Sequence, residues 1–107
     1  MWNKIRKLAA TLLVVLFVAV SNVFPYVIPG GATQTFARGV NPGWVTVQIR
    51  GNGNSNLDLY VYYGNTLIGR SESPYDSEAV QVQTRGGTIT IAVVNRGGYT
   101  NDYQTNF

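Results

Sequence analysis

Three residues whose types and spacing could do chemistry lie close together: Asp58, Tyr60 and Tyr62, alternating with Leu57, Leu59 and Val61. On a β-strand such alternation sends the two sets to opposite faces. Tyr60 and Tyr62 would then form a short aromatic stripe, suited to stacking on sugars or packing on a fibrous partner, with Arg50 or Arg70 flanking it. Tyrosine is also an ordinary strand residue that pairs across strands, so a purely structural role stands beside the binding role. Asp58 follows Asn52, Asn54 and Asn56 in the stretch GNGNSN. Oxygen ligands on a turn suit calcium, which takes six to eight of them, and the candidate metal set is Asp58, Asn56 and Asn54. Asp58 is the one carboxylate in that set, and Asp76, Glu78 or Asp102 would have to converge on it from separate loops. The competing role for Asp58 is to bond turn amides. The balance argues against calcium, and no other cofactor is expected.

The remaining chemistry is limited by what the chain lacks. It has no histidine and no cysteine, which removes the usual general base, the usual pH switch, disulfides and cysteine-based zinc sites. Lysine occurs only at Lys4 and Lys7, so a Ser-Lys dyad is absent from the rest. Paired acids for glycoside hydrolysis would need a cleft that a compact sandwich has little room for. The expectation is a protein that is not an enzyme. The formal charge is +3, but Lys4, Arg6 and Lys7 account for it. Beyond them Arg38, Arg50, Arg70, Arg85 and Arg96 are matched by Asp58, Glu72, Asp76, Glu78 and Asp102. With no basic excess to release counterions from phosphates, nucleic acid is not an expected partner.

The elements that would position these residues follow period-2 alternation. Thr33 to Ala37 reads as a short edge strand, and Trp44 to Arg50 sets Val45, Val47 and Ile49 against Thr46, Gln48 and Arg50. Trp44, behind Pro42-Gly43, reads as a core plug at a sandwich end. Leu57 to Tyr63 and Thr66 to Arg70 flank Gly64-Asn65, a two-residue hairpin signal. Glu78 to Thr84 alternates again, Arg85-Gly86-Gly87 reads as a turn, Thr88 to Asn95 as a central strand, and Tyr103 to Phe107 as a closing strand. Six or seven short strands with turn signals predict an all-β fold, a small antiparallel β-sandwich. Leu57, Leu59, Val61, Val80, Val82, Ile89, Ile91 and Val93 are expected inside, and Asp58, Gln81 and Gln83 outside.

Residues 1–32 read as a signal peptide or membrane anchor plus spacer, and 33–107 as the folded domain. Met1 to Lys7 are basic, and Leu8 to Val20 are apolar without a charge. As a helix that run rises about 20 Å, short of the ~30 Å hydrocarbon core. Extended through residues 8–28, it would hold an uncleaved chain in the membrane. Small-x-small patterns occur at Ala19-Val20-Ser21 and Gly30-Gly31-Ala32, with a weaker one at Thr35-Phe36-Ala37, and the second is favoured for cleavage. The chain is thus expected to be secreted or periplasmic, or else anchored and facing outward.

The stretch Asn54-Ser55-Asn56-Leu57-Asp58-Leu59-Tyr60-Val61 resembles the "DLDLYV" strand of the bacterial pre-peptidase C-terminal (PPC) domain family. Val45-Thr46-Val47, Ser71 with Glu78-Ala79-Val80, Gly86-Gly87-Thr88-Ile89-Thr90-Ile91 and Asn101-Asp102-Tyr103 resemble its other segments in order. Asn56 stands where many members have an aspartate, and Thr88-Ile89-Thr90 replaces a tyrosine pair. The resemblance implies a jelly-roll-like sandwich, a non-catalytic role and, in some members, calcium or fibrous-protein binding. The expected function is an exported module that binds polysaccharide or protein at the cell surface or extracellular matrix. The alternative is a structural or accessory subunit of an envelope or secreted complex.

Overall fold

A computed structural model describes residues 24–107; the basic and apolar stretch from Met1 to Val20, read as a leader helix, lies outside them. The described chain is all-β. Its strands are β1 (Tyr26–Ile28), β2 (Thr33–Gly51), β3 (Leu57–Tyr63), β4 (Thr66–Ser71), β5 (Ser77–Asn95) and β6 (Asn101–Thr105). They form one open antiparallel sheet of six strands in the order β1-β6-β2-β5-β3-β4, not two separately hydrogen-bonded sheets.

The frame is the ribbon of β2 and β5, 19 residues each, paired from Thr33↔Val94 to Arg50↔Ser77. The inward face changes partway along it. On β2 the half-buried residues are Gln34, Phe36, Arg38 and Val40, then Gly43 and Val45, with Val47 and Ile49 fully buried. On β5 the covered residues run Glu78, Val80, Val82 and Thr84, then shift by one to Ile89, Ile91, Val93 and Asn95. Pairing stays in register through the shift, with Val40↔Gly87 and Pro42↔Arg85. The ribbon therefore turns its other face inward there, as the right-handed twist of paired strands allows when it is locally concentrated. Gly86 and Gly87, at φ 88° and 86°, supply a backbone that residues with a Cβ rarely adopt. The Thr84 hydroxyl donates to Asn41 O at 3.0 Å and accepts from Gly86 N at 3.3 Å, holding the crossing strands.

A flat single sheet cannot exclude water from both faces, yet Ile28, Leu57, Leu59, Val61, Ile91, Val93 and Tyr103 are 0% exposed. The sheet achieves this by doubling over at the ribbon. β3 pairs with the second half of β5, while β6 pairs with the end of β2 and β1 with β6. Contacts then cross between the halves. Tyr26 on β1 meets Phe36 edge-on at 5.1 Å, and Phe36 meets Phe107 at 5.3 Å. A Cβ at Gly69 on β4 would lie 2.6 Å from a Val82 methyl and 2.7 Å from one of Val80, so only glycine fits there.

Several sequence expectations change. Arg85-Gly86-Gly87 is not a turn: β5 runs straight through it. Thr33 to Ala37 and Trp44 to Arg50 are one strand, because Asn41-Pro42-Gly43 crosses the fold without leaving the ladder. The closing strand is Asn101–Thr105. Tyr26–Ile28, within the stretch read as leader and spacer, is an edge strand paired to β6. Of the expected core, Val80 is half-buried and the other seven are buried; Gln81 and Gln83 are exposed. Asp58 is buried at 5% exposure, against expectation, because Arg96 Nε donates to its Oδ2 at 3.0 Å and partners the charge.

Candidate functional site

Asp58 and Tyr60 share a face of β3, but their polar ends are already engaged. Arg96 bonds Asp58 Oδ2 and also donates from Nη2 to the Tyr60 hydroxyl at 2.8 Å. That hydroxyl donates in turn to Glu72 Oε2 at 2.5 Å, and Glu72 pairs with Arg70 at 3.5 Å. Burial, then the bond to Glu72, raises the Tyr60 pKa above its ordinary value; the bonds that Arg96 donates to Tyr60 and Asp58 raise that of Arg96. The Arg96 guanidinium also lies 5.9 Å from the Tyr60 ring centre. Tyr62 is half-buried between Leu67 and Thr90 in the ladder. Arg50 is not brought to this stripe; it lies on β2 between Ser77 and Gln104. The four residues Tyr60, Tyr62, Arg50 and Arg70 thus do not form one surface.

The candidate metal residues divide similarly. Asn54 is exposed, and its N–H donates to Asn52 Oδ1 at 3.0 Å in a local turn. Asn56 Oδ1 and Asp58 Oδ1 are buried without a hydrogen-bond donor. The other acids serve elsewhere. Asp76 Oδ2 accepts from Gly53 N at 2.5 Å and Asn101 Nδ2 at 3.0 Å, and Glu78 accepts from Ser71 Oγ at 3.0 Å and Ser73 N at 2.6 Å. Among the described residues, no group of three or more His, Cys, Asp or Glu could hold a metal ion. A calcium ion at Asp58 would also bring its charge beside the Arg96 guanidinium, where like charges repel.

The face better suited to a ligand is the outer side of the β2–β5 ribbon past its crossing. There Pro42, Trp44, Thr46, Gln48 and Arg50 pair with Arg85, Gln83, Gln81, Ala79 and Ser77, and all are exposed. Trp44 is 70% exposed, not the core plug expected of it: it shares the parity of Thr46 and Gln48, and that parity faces out. Its cross-strand partner Gln83 lines a cleft of about 260 Å³ together with Tyr63, Thr66, Ile68, Thr84 and Arg85. The Tyr63 hydroxyl donates to Gly86 O, which fixes the ring in the cleft wall. The arrangement offers one large aromatic surface, amide and hydroxyl groups in rows, and a guanidinium at the cleft. It offers no nucleophile–base pair.

Neither the family models nor the curated proteins contain a match to this chain. Among solved structures it is similar to the crystal structure of Aeromonas hydrophila PliG, a periplasmic lysozyme inhibitor of g-type lysozyme, at 16% identity and a TM-score of 0.33. That match covers 74% of this chain and 82% of the other. A likeness at that level carries no weight for fold or function.

Proposed function

We propose that this protein is a non-enzymatic, exported binding module of the PPC type, with a jelly-roll-like doubled sheet, that holds a polysaccharide on the outer face of the β2–β5 ribbon. The carrying observation is Trp44, 70% exposed beside Gln83 and the cleft that Gln83 lines. A large apolar ring held in solvent has a hydration cost that a ligand covering it would remove, and flat aromatic surface beside amides and hydroxyls suits the two faces of a sugar. Secretion to the periplasm or the medium, or anchoring with the domain facing outward, follows from the basic and apolar start of the chain. The non-enzymatic reading rests on the missing histidine and cysteine and on the structural employment of Asp58, Asp76 and Glu78. The test is retention of the purified full chain in gels containing soluble polysaccharides, beside Trp44→Ala. Retention that weakens at least tenfold, about 1.4 kcal/mol, in the variant supports the proposal. Unchanged retention, or none with any polymer, removes it.

A protein ligand at the loop end is a second reading, favoured by Tyr75 and Tyr99, 72% and 74% exposed. Their loops carry the Tyr, Ser, Gly and Asn composition of adaptable binding surfaces and are pinned by buried Asn95, Asn101 and Asp76. An accessory-subunit role would use this end. A co-purifying protein lost in a Tyr75→Ser, Tyr99→Ser double variant, with Trp44→Ala unaffected, would favour it.

A further inference from the structure

We propose that the polysaccharide held by the ribbon face is acidic, its carboxylates met by Arg85; this rests on the reading of that face as a glycan site. The described arginines separate cleanly by partner. Arg70 pairs with Glu72 and Arg96 with Asp58. Arg38 bonds Ala37 O at 2.9 Å and lies 5.4 and 5.8 Å from the ring centres of Phe36 and Phe107. Arg38, Arg50 and Arg85 have no ion pair among the described residues; of these, Arg50 and Arg85 have no ring contact either and are both exposed on the one face that carries Trp44.

No acid stands among the ten outward residues of that face, and none lines the cleft. Asp102 on β6 is half-buried and lies beyond the buried Gln104, at the Arg50 end. Arg85 stands at the other end, with Gln83 beside it and Thr66 across the cleft. A guanidinium offers two parallel N–H groups that match a carboxylate, and the neighbouring amide and hydroxyl can take the ring oxygens of the same sugar. The Tyr63 ring and Ile68 supply an apolar wall for its carbon face.

The spacing argues against a chain as densely charged as a nucleic acid. Ser77, the partner of Arg50, is eight residues from Arg85, about 26 Å along an extended strand. Two cations so far apart cannot neutralise a nucleic acid, which carries a charge every ~1.7 Å. A polymer with one carboxylate per sugar spaces its charges farther apart than a nucleic acid does, and one of them can meet Arg85 at the cleft.

The test measures binding of the purified full chain to polygalacturonate, to the same polymer with its carboxyls reduced to alcohols, and to neutral xylan. Wild type is expected to bind polygalacturonate at least tenfold more tightly than the reduced polymer, with the difference shrinking as sodium chloride rises from 50 to 500 mM. Arg85→Gln, an exposed substitution checked by circular dichroism, should bring the ratio of the two affinities down toward one. Trp44→Ala should weaken all binding that remains. Equal wild-type binding to the two forms of the polymer, or full acid preference in Arg85→Gln, overturns the acidic assignment while the glycan reading stands. No binding to any polymer overturns both.

Discussion

Asn95 is the most heavily committed polar side chain in the fold, and Asn95→Ala tests whether the loop end is built as described. The residue is 0% exposed. Its Oδ1 accepts from Ser55 Oγ at 2.6 Å and Gly97 N at 3.0 Å; its Nδ2 donates to Ile28 O at 3.1 Å and Tyr99 O at 2.8 Å. That exhausts an amide's two acceptor sites and two donors. Truncation leaves Ile28 O buried and unpaired, worth about 1–3 kcal/mol. The other three partners are partly reached by water, so each is worth roughly 0.5–1.5 kcal/mol. The expected loss is therefore about 2.5–7.5 kcal/mol, a large share of the roughly 4–12 kcal/mol that holds a domain of this size. Urea unfolding followed by far-ultraviolet circular dichroism measures it, with Gln81→Ala as an exposed control expected within about 0.5 kcal/mol of wild type. Asn95→Asp keeps the two acceptor contacts but turns an acceptor toward Ile28 O and Tyr99 O. Its deficit should shrink as the pH falls and the introduced carboxyl gains a proton to donate. A loss below 1 kcal/mol in Asn95→Ala would refute the reasoning, because it would mean that these four groups find equivalent partners without it.

Three further outcomes are expected. Removing residues 1–32 takes away β1, including Ile28 at 0% exposure, and unpairs one edge of β6; unfolding midpoints should show a loss of about 2 kcal/mol or more relative to a chain beginning at Phe24. Burial, with a smaller contribution from Tyr26, pushes the Tyr103 phenol far above its ordinary value. The unfolded chain then releases this proton near pH 10 while the folded chain keeps it, so stability is full below pH 10 and falls above it by up to about 1.4 kcal/mol per pH unit. Urea midpoints between pH 9 and 11 check the sign, and Tyr103→Phe should flatten the dependence. Millimolar calcium added to chelated protein should move the melting temperature too little to resolve; a rise of about 5 °C, roughly 1 kcal/mol, that disappears in Asp58→Asn would place an ion at Asn56 and Asp58 after all.

Strand existence and most of the core were legible because alternation reports directly on which face is covered. Leu57, Leu59 and Val61 against the polar side of β3, and Ile89, Ile91 and Val93 on β5, are buried as their spacing requires. Asp58 was not legible, since its burial depends on Arg96, 38 residues away. The same distance hid the chain of bonds from Asp58 through Arg96 and Tyr60 to Glu72, which engages the Tyr60 hydroxyl. β1 was hidden by its neighbours: three residues beside an apolar run look like part of that run, and their pairing with β6 is a contact across the whole chain. Arg85-Gly86-Gly87 looked like a turn because turn residues are chosen for backbone freedom, and a ribbon that must twist sharply needs the same freedom.

Trp44 shows how far the pattern alone could have gone. Val45, Val47 and Ile49 set the inward parity of the second half of β2, so Trp44 had to share the outward side with Thr46, Gln48 and Arg50. Only the prior that a tryptophan belongs in a core pointed the other way. The twist explains why both the core and the outer face can exist on one ribbon. Had β2 kept a single face inward along its length, Trp44, Thr46, Gln48 and Arg50 would have continued the inward row of Phe36 and Val40, with Gln83 and Arg85 opposite them. Polar amides and two guanidinium groups would then lie in the core without partners, each at a cost of several kcal/mol. The change of face at Pro42 and Gly86-Gly87 sends Val47, Ile49 and Val82 inward instead, and by the same rotation leaves Trp44, Gln83 and Arg85 in solvent as a face that a ligand can cover.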